Sequence, residues 1–243
     1  MPDRRRHRGA HPDDHRLFAA SMHATLRRAA TDYAWLLSHG YAAASALKLV
    51  GDRHHLTARQ RLAVRRATCA DAARARRART MIPWPACAGR RIVVDGYNLL
   101  ITIETALSGG LVIIGHDGCC RDLAGLHGTY RKVDETRPAV RIIADHVRDA
   151  GVAAVTWLLD RPVSNSGRLA ALMRDLLAAE PAPWTIELAD HPDQRLATRD
   201  TPVVTTDSWI LDRCPAWINL ARDLIATRIP AAWILDLSAE TTA

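Results

Sequence analysis

The chain has 243 residues, 48% of them hydrophobic, and its 33 Lys and Arg against 26 Asp and Glu give a net charge of +7. That is material for one large domain, or a domain with an appendage, around a substantial core. No apolar run approaches the length that spans a bilayer, so no membrane role is expected. Cys69, Cys87, Cys119, Cys120 and Cys214 are odd in number and include no C-x-x-C pair. They argue against a zinc site or a disulfide framework and for reduced thiols in a cytoplasmic protein.

Charge is unevenly spread. Residues 1–90 hold 18 Arg and Lys against 6 Asp and Glu, a balance of +12, whereas residues 91–243 hold 15 against 20, a balance of −5. A basic front and an acidic back suggest that the first attracts a polyanion while the second holds metal or does chemistry. Arg spread over solvated helix faces would give the same balance.

In chain order, residues 1–10 read as a disordered basic tail; after Arg4-Arg5-Arg6-His7-Arg8 comes His11-Pro12-Asp13-Asp14, where a secretory signal would place an apolar stretch. Apolar residues near a 3.6 period predict a helix from Asp13 to about Ser38, stopped by Gly40, and a second from Ala42 to Val50. Thr57-Ala58-Arg59-Gln60 is a capping box opening a third, longer helix that carries Arg through Arg79. These helices define a small all-α unit over residues 11–80, with residues 81–90 as linker. Lys48, Arg53, Arg59, Arg66 and Arg77 could line a phosphate-binding face for RNA or another nucleic acid, or form an ordinary solvated surface.

Residues 91–243 alternate strand and helix patterns, which predicts an α/β fold with a parallel sheet. Ile92-Val93-Val94 breaks at Asp95-Gly96, Val155–Leu159 at Asp160, and Pro202–Thr206 at Asp207. In parallel strands these carboxylates share the sheet edge where open α/β folds place ligands, and a hard divalent metal would neutralise them. Ile101–Glu104 and Leu111–Ile114, joined through Ser108-Gly109-Gly110, suggest a hairpin. Glu104, within that apolar stretch, is either a metal-site carboxylate or the partner of an Arg. Residues 121–130, with Asp122 and His127, read as a polar helix lining the crevice. Helices at 138–150, 169–179, 193–197 and 215–228 and strands at 184–188 and 232–237 complete the pattern. Asn165, Ser166 and Arg168 open the 169–179 helix and could hold a phosphate, or the serines could simply cap it.

Asp95-Gly96-Tyr97-Asn98, then Leu159-Asp160, then Pro192–Ala197 with Asp193, then Val204-Thr205-Thr206-Asp207 resemble the ordered acidic motifs of the PIN-like nucleases. The resemblance is closest to the NYN branch and covers residues 91 to about 213. Through Ser45–Arg53 and Arg59-Gln60-Arg61 the whole chain is also similar to a bacterial and archaeal family known as domain of unknown function 434. The nuclease resemblance implies a Rossmann-like three-layer fold and Mg2+- or Mn2+-dependent phosphodiester hydrolysis, in the first place of RNA. By position, Asp95 and Asp207 correspond to strand-end metal ligands, Asp193 to the acid opening a helix, and Asp160 to the acid ending the second strand. Asn98 would orient a ligand or the phosphate, and Arg168 and Arg131 would supply positive charge.

Two departures, the hairpin at residues 101–114 and Arg161-Pro162 after the second acid, leave room for altered substrate geometry or for a site that binds without cutting. Each acid also has a simpler role open to it: an Asx turn at Asp95, a pairing of Asp160 with Arg161 or Arg168, a helix cap at Asp207. The competing functions are a non-catalytic RNA-binding adaptor and a small-substrate phosphatase. The second lacks an Asp-x-Asp nucleophile after the first strand, and no P-loop or G-x-G-x-x-G is present.

Overall fold

The computed structural model describes residues 7–124 and 130–238. Where one N-terminal helix is predicted there are two, α1 (Asp14–Leu17) and α2 (Ala20–Ser38), because Phe18 turns into the core and Ala19 is extended. Gly40, at φ +80°, ends the turn after α2 as expected. After α3 (Ala43–Arg53) the Thr57 capping box opens α4 (Ala58–Ala67). The predicted long Arg-rich helix breaks at extended Thr68 and resumes as α5 (Asp71–Thr80). The break frees the Ala67 carbonyl to accept from His116 N at 2.7 Å. α2, α3 and α4 close their core with Leu111, Ile113, Leu123, Leu235 and Leu237, so they share it with a small sheet described below. Residues 81–90 are packed rather than loose: Trp84 and Cys87, in a short 3-10 turn, enter the main core, and Ile82 N donates to Trp217 O at 2.7 Å.

Strand β1 (Arg91–Asp95) is buried on both faces, which explains its unbroken β-branched run. It passes without a loop into α6 (Gly96–Leu107). Gly96 is required there, since a Cβ would run into the Trp157 indole and the Leu158 carbonyl. This helix overturns the predicted hairpin. Ser108-Gly109-Gly110 is its C-terminal stop, with Gly109 at φ +71° and Gly110 N donating to Thr105 O at 2.9 Å. The β-branched residues at 101–103 cost a few tenths of a kcal/mol each in a helix, a penalty that burial on every side of α6 outweighs. The hairpin lies one step later, between β2 (Leu111–Ile114) and antiparallel β3 (Cys120–Asp122), around the expected turn at His116-Asp117-Gly118.

The rest alternates as read: α7 (Thr136–Asp149), β4 (Ala154–Asp160), α8 (Ser166–Leu177), β5 (Trp184–Ala189), α9 (Pro192–Ala197), β6 (Val203–Val204) and α10 (Ser208–Leu211). The helix expected over 215–228 is instead a strand, β7 (Trp217–Ile218), and then α11 (Leu220–Arg228). The five-stranded sheet runs β5-β4-β1-β6-β7, all parallel. The last strand, β8 (Trp233–Asp236), does not join it; it pairs with β2, making a second sheet ordered β3-β2-β8. One face of the main sheet, through Ile92, Val94, Trp157 and Leu159, packs on α6, α7, α8 and α11. The other, through Val93, Leu158 and Val203, is covered by short α9 and α10. No helix among the described residues is long and apolar enough to cross a membrane.

Candidate active site

From β1 the chain winds outward through β4 and β5 and then returns to β6 on the other side of β1, so the order reverses between β1 and β6. At such a point the loops diverge and a crevice opens at the carboxyl ends of the strands. Asp95 ends β1, Asp160 ends β4, Asp207 follows β6, and Asp193 lies in the first turn of α9, which packs against β1 and β4. Register reinforces the grouping. Asp95 pairs with Leu158, so Asp160, two residues on, belongs to the same face of the sheet.

Each acid has a distinct set of partners. Asp95 caps nothing; its Oδ2 accepts from Thr205 Oγ1 at 2.8 Å, and Thr205 Oγ1 accepts from Asp207 N at 3.0 Å. Asn98 Oδ1 accepts from Thr206 N at 3.0 Å and from Thr206 Oγ1 at 2.6 Å. A backbone N–H can only donate, which fixes the amide's orientation and leaves its NH2 end for the cleft. Asp207 does cap α10, its Oδ1 accepting from Trp209 N at 2.8 Å and Ile210 N at 3.2 Å. Asp160 takes neither arginine offered by the sequence, since Arg161 pairs with Asp190 at 3.2 Å and Arg168 donates to Asn165 at 3.4 Å.

The carboxylates feel one another. Burial is the main cause that pushes Asp95 up to about 7; the Thr205 bond opposes it, and the charges of Asp207, Asp193 and Asp160 add to it. Burial, then Asp207 and Asp160, raise Asp193; burial raises Asp160 against the pull of His191. The donor chemistry, all hard carboxylate oxygen, fits Mg2+ or Mn2+. Among the described residues, however, no group of three or more His, Cys, Asp or Glu side chains closes on one point as a metal shell would. The four acids are electrostatic neighbours, not a finished coordination sphere.

Of the four acids, Asp207 lines a cleft of about 630 Å³ between the N-terminal helices and the sheet edge, together with Arg65, Arg66, Asn98, Arg121, Asp122 and Thr206 among others. Arg65 makes no ion pair among the described residues, and Arg66 donates to the Asp122 main-chain oxygen. Asp122 is buried and accepts from Thr102 Oγ1 at 3.0 Å. Beneath it lies a closed ionic network. Arg121 forks onto Asp117 at 2.8 and 2.6 Å, Arg77 donates to Asp117 at 2.5 Å and to Asp212 at 2.8 Å, and Arg121 Nε donates to Thr206 O at 2.8 Å. The backbone that carries Asp207 is thereby tied to the α5 helix.

Other residues singled out in the sequence fall elsewhere. Glu104 is fully buried on α6, bonded by Arg8, Tyr130 and, at 2.7 Å, Thr136. It is the Arg partner of the two options and no part of the acid group. Arg8 is correspondingly docked rather than part of a disordered tail, while residues 1–6 lie outside the described residues. Lys48 pairs with Asp52 at 2.7 Å, Arg53 with Asp32 at 3.5 Å, and Arg59 with buried Asp14 at 2.7 Å. All three are thus answered by carboxylates, and Arg77 is buried in the network. Arg121 and Asp122 line the crevice as expected, but from β3, not from a helix; His127 lies outside the described residues. Arg131, Asn165 and Arg168 border a second hollow, and Ser166 donates to Arg161 O at 3.2 Å without capping α8. Thr205, Thr206, Arg65 and the Asp117 network carry no motif that marks them in the sequence as site residues. Two hydroxyls immediately before a strand-end acid were the one available signal.

The molecule is thus an α/β protein with a five-stranded parallel sheet and an acid-lined crevice at its switch point, roofed by a basic helical unit. The chain belongs to the family described as Domain of unknown function (DUF5616), whose model matches residues 85–223. Residues 25–79 match a second family, Protein of unknown function (DUF434), so that likeness is to the helical unit and not to the whole chain. A curated relative, "Uncharacterized protein MJ0935" of Methanocaldococcus jannaschii, is 26% identical over 187 residues, which cover 77% of this chain and 89% of the relative. No solved structure matches.

Proposed function

We propose that this chain is a PIN-like, divalent-cation-dependent nuclease that hydrolyses phosphodiester bonds, in the first place of RNA, in the cleft between the helical unit and the sheet edge. One observation carries the reading: Asp95, Asp160, Asp193 and Asp207 lie within electrostatic reach of one another at the switch point, none pairs with an Arg or Lys among the described residues, and Asp207 lines a groove that also bears Arg65 and Arg66. Negative charge held this close raises its own free energy, and a bound cation relieves it. Mg2+ or Mn2+ held there would supply a Lewis acid and a water that ionises near neutral pH. Asp95, Asp160, Asp193 and Asp207 are the residues that would hold it. Thr205 fixes the Asp95 carboxyl, Thr206 fixes Asn98 with its NH2 toward the phosphate, and Arg65 and Arg66 meet the substrate backbone.

The test is incubation of the purified protein with single-stranded and structured RNA in Mn2+, beside Asp95→Asn and Asp207→Asn. The expected result is cleavage by the parent and a loss of about 100-fold or more in each variant, the scale on which one electrostatic group at a reacting centre acts. Cleavage that persists in the double variant refutes the assignment. The open arrangement of the carboxylates favours one second reading, an RNA-binding adaptor of the same fold that does not cut. Calorimetric titration with Mn2+ separates the two, since the nuclease binds the ion through Asp95 and Asp207 and the adaptor does not.

A further inference from the structure

A second hollow, of about 340 Å³, opens at the same carboxyl edge beyond the end of β4. Its apolar lining comes from Leu169 and Leu172, with Tyr130 beside them, and its polar lining from Arg131, Lys132, Asn165 and Arg168. Lys132 and Arg168 are exposed, and neither makes an ion pair among the described residues; the one contact of the Arg168 guanidinium is the Asn165 amide oxygen at 3.4 Å. Asn165, held at φ +70°, donates to Tyr130 O at 3.0 Å, which ties these two lining residues together.

The hollow adjoins the acid group. Tyr97 lies between them: its ring packs on Tyr130 at 5.3 Å, and its hydroxyl, buried with no hydrogen-bond partner, stands in the field of Asp160. Along the sheet edge the order is therefore cationic hollow at β4, carboxylates at β4 and β1, and cationic cleft beyond β6. Strands two places apart are separated by about 10 Å, which one or two nucleotides of extended chain can bridge.

We infer that the hollow is a second phosphate subsite, in which Lys132 and Arg168 hold the backbone of a nucleic acid strand one or a few nucleotides from the carboxylates while the apolar lining receives a base or ribose. This rests on the nuclease reading, and it makes the substrate a chain that spans both cationic regions rather than a mononucleotide or a small phosphoester.

The experiment uses the full-length protein in EDTA and a fluorescein-labelled single-stranded 20-mer RNA, with a labelled mononucleotide for comparison, over a range of salt. Lys132→Ala with Arg168→Ala, both exposed positions, should weaken binding of the 20-mer about tenfold. It should also flatten the slope of log K against log salt by about 1.4, two phosphate contacts on a single strand. Mononucleotide binding should stay unchanged. Arg90→Ala with Arg91→Ala removes the same charge at the opposite edge and should leave the slope alone. If the parent binds and cleaves RNA but the Lys132/Arg168 variant keeps its affinity and slope, the subsite is refuted and the nuclease reading stands. If the parent binds no RNA at all, both fall together.

Discussion

Asp117 and Asp95 are both aspartates withdrawn from water, and both are coupled to the loop at residues 205–207, one through Arg121 and the other through Thr205. Asp117 is met by two guanidinium groups, and although burial works against it, Arg121 and Arg77 hold its carboxyl well below the usual range. Asp95 meets a hydroxyl and three more carboxylates, and stands at about 7. Within a single loop's reach the fold has closed one ionic account and left the other open. An enclosed charge serves stability only when its partners are present, and under the nuclease proposal the missing partner of Asp95 is a bound cation.

The largest expected effect tests the closed side. Asp117→Ala leaves Arg77 and Arg121 buried without their carboxylate, a change on the order of 3–5 kcal/mol. It should lower Tm by roughly 10 °C in thermal unfolding, and a drop of a degree or two would mean the network is not structural. Because the Asp117 carboxyl is held low, its contribution is present above about pH 4, the unfolded value, and fades only as pH falls below that.

Asp95 should behave in the opposite sense. Its folded value near 7 exceeds the unfolded 3.8, so between the two the native state holds a proton that the unfolded chain has released. Stability therefore falls as pH rises from about 4 to about 7, and the cost is complete above 7. In the absence of divalent ions, Asp95→Asn should be more stable than the parent at pH 8 by on the order of 2 kcal/mol, roughly 4–8 °C in Tm, with the gap closing toward pH 4. Mn2+ should raise the Tm of the parent at pH 8 and not that of the variant. A variant less stable than the parent at pH 8 would place Asp95 among the structural acids. The smallest effect belongs to the surface. Lys48→Ala breaks an exposed pair with Asp52 and should shift Tm by no more than about 1 °C at any pH from 5 to 8.

Local signals foretold much of this. The capping box at Thr57, the strand at 91–95, the acids at strand ends and the α/β alternation were all legible, because each depends on a few adjacent residues. Where the reading failed, a distant partner had outvoted local preference. Residues 101–103 look like a strand but form a helix, since α6 is buried on every side and shows no polar face to betray its period. Ser108-Gly109-Gly110 reads equally as a hairpin turn or a helix stop, and only the chain before it decides. β7, two residues long, and the pairing of β8 with β2 instead of the main sheet have no local signature. The same holds for the basic residues: Arg59, Arg66 and Arg77 are alike in the sequence, yet Asp14, Asp122 and Asp117, far along the chain, give them three different environments.

By itself the sequence determined which acids end strands, that those strands run parallel, and therefore that Asp95, Asp160 and Asp207 share an edge, because side-chain period and strand direction follow from local pattern. Only the tertiary structure decided which charges are answered. Whether a carboxylate is neutralised depends on groups such as the Arg77 guanidinium, brought to Asp117 from 40 residues away, and on Thr205 and Thr206 being set opposite Asp95 and Asn98 by the pairing of β1 with β6. Coulomb energy falls with distance in space, and distance along the chain does not report it.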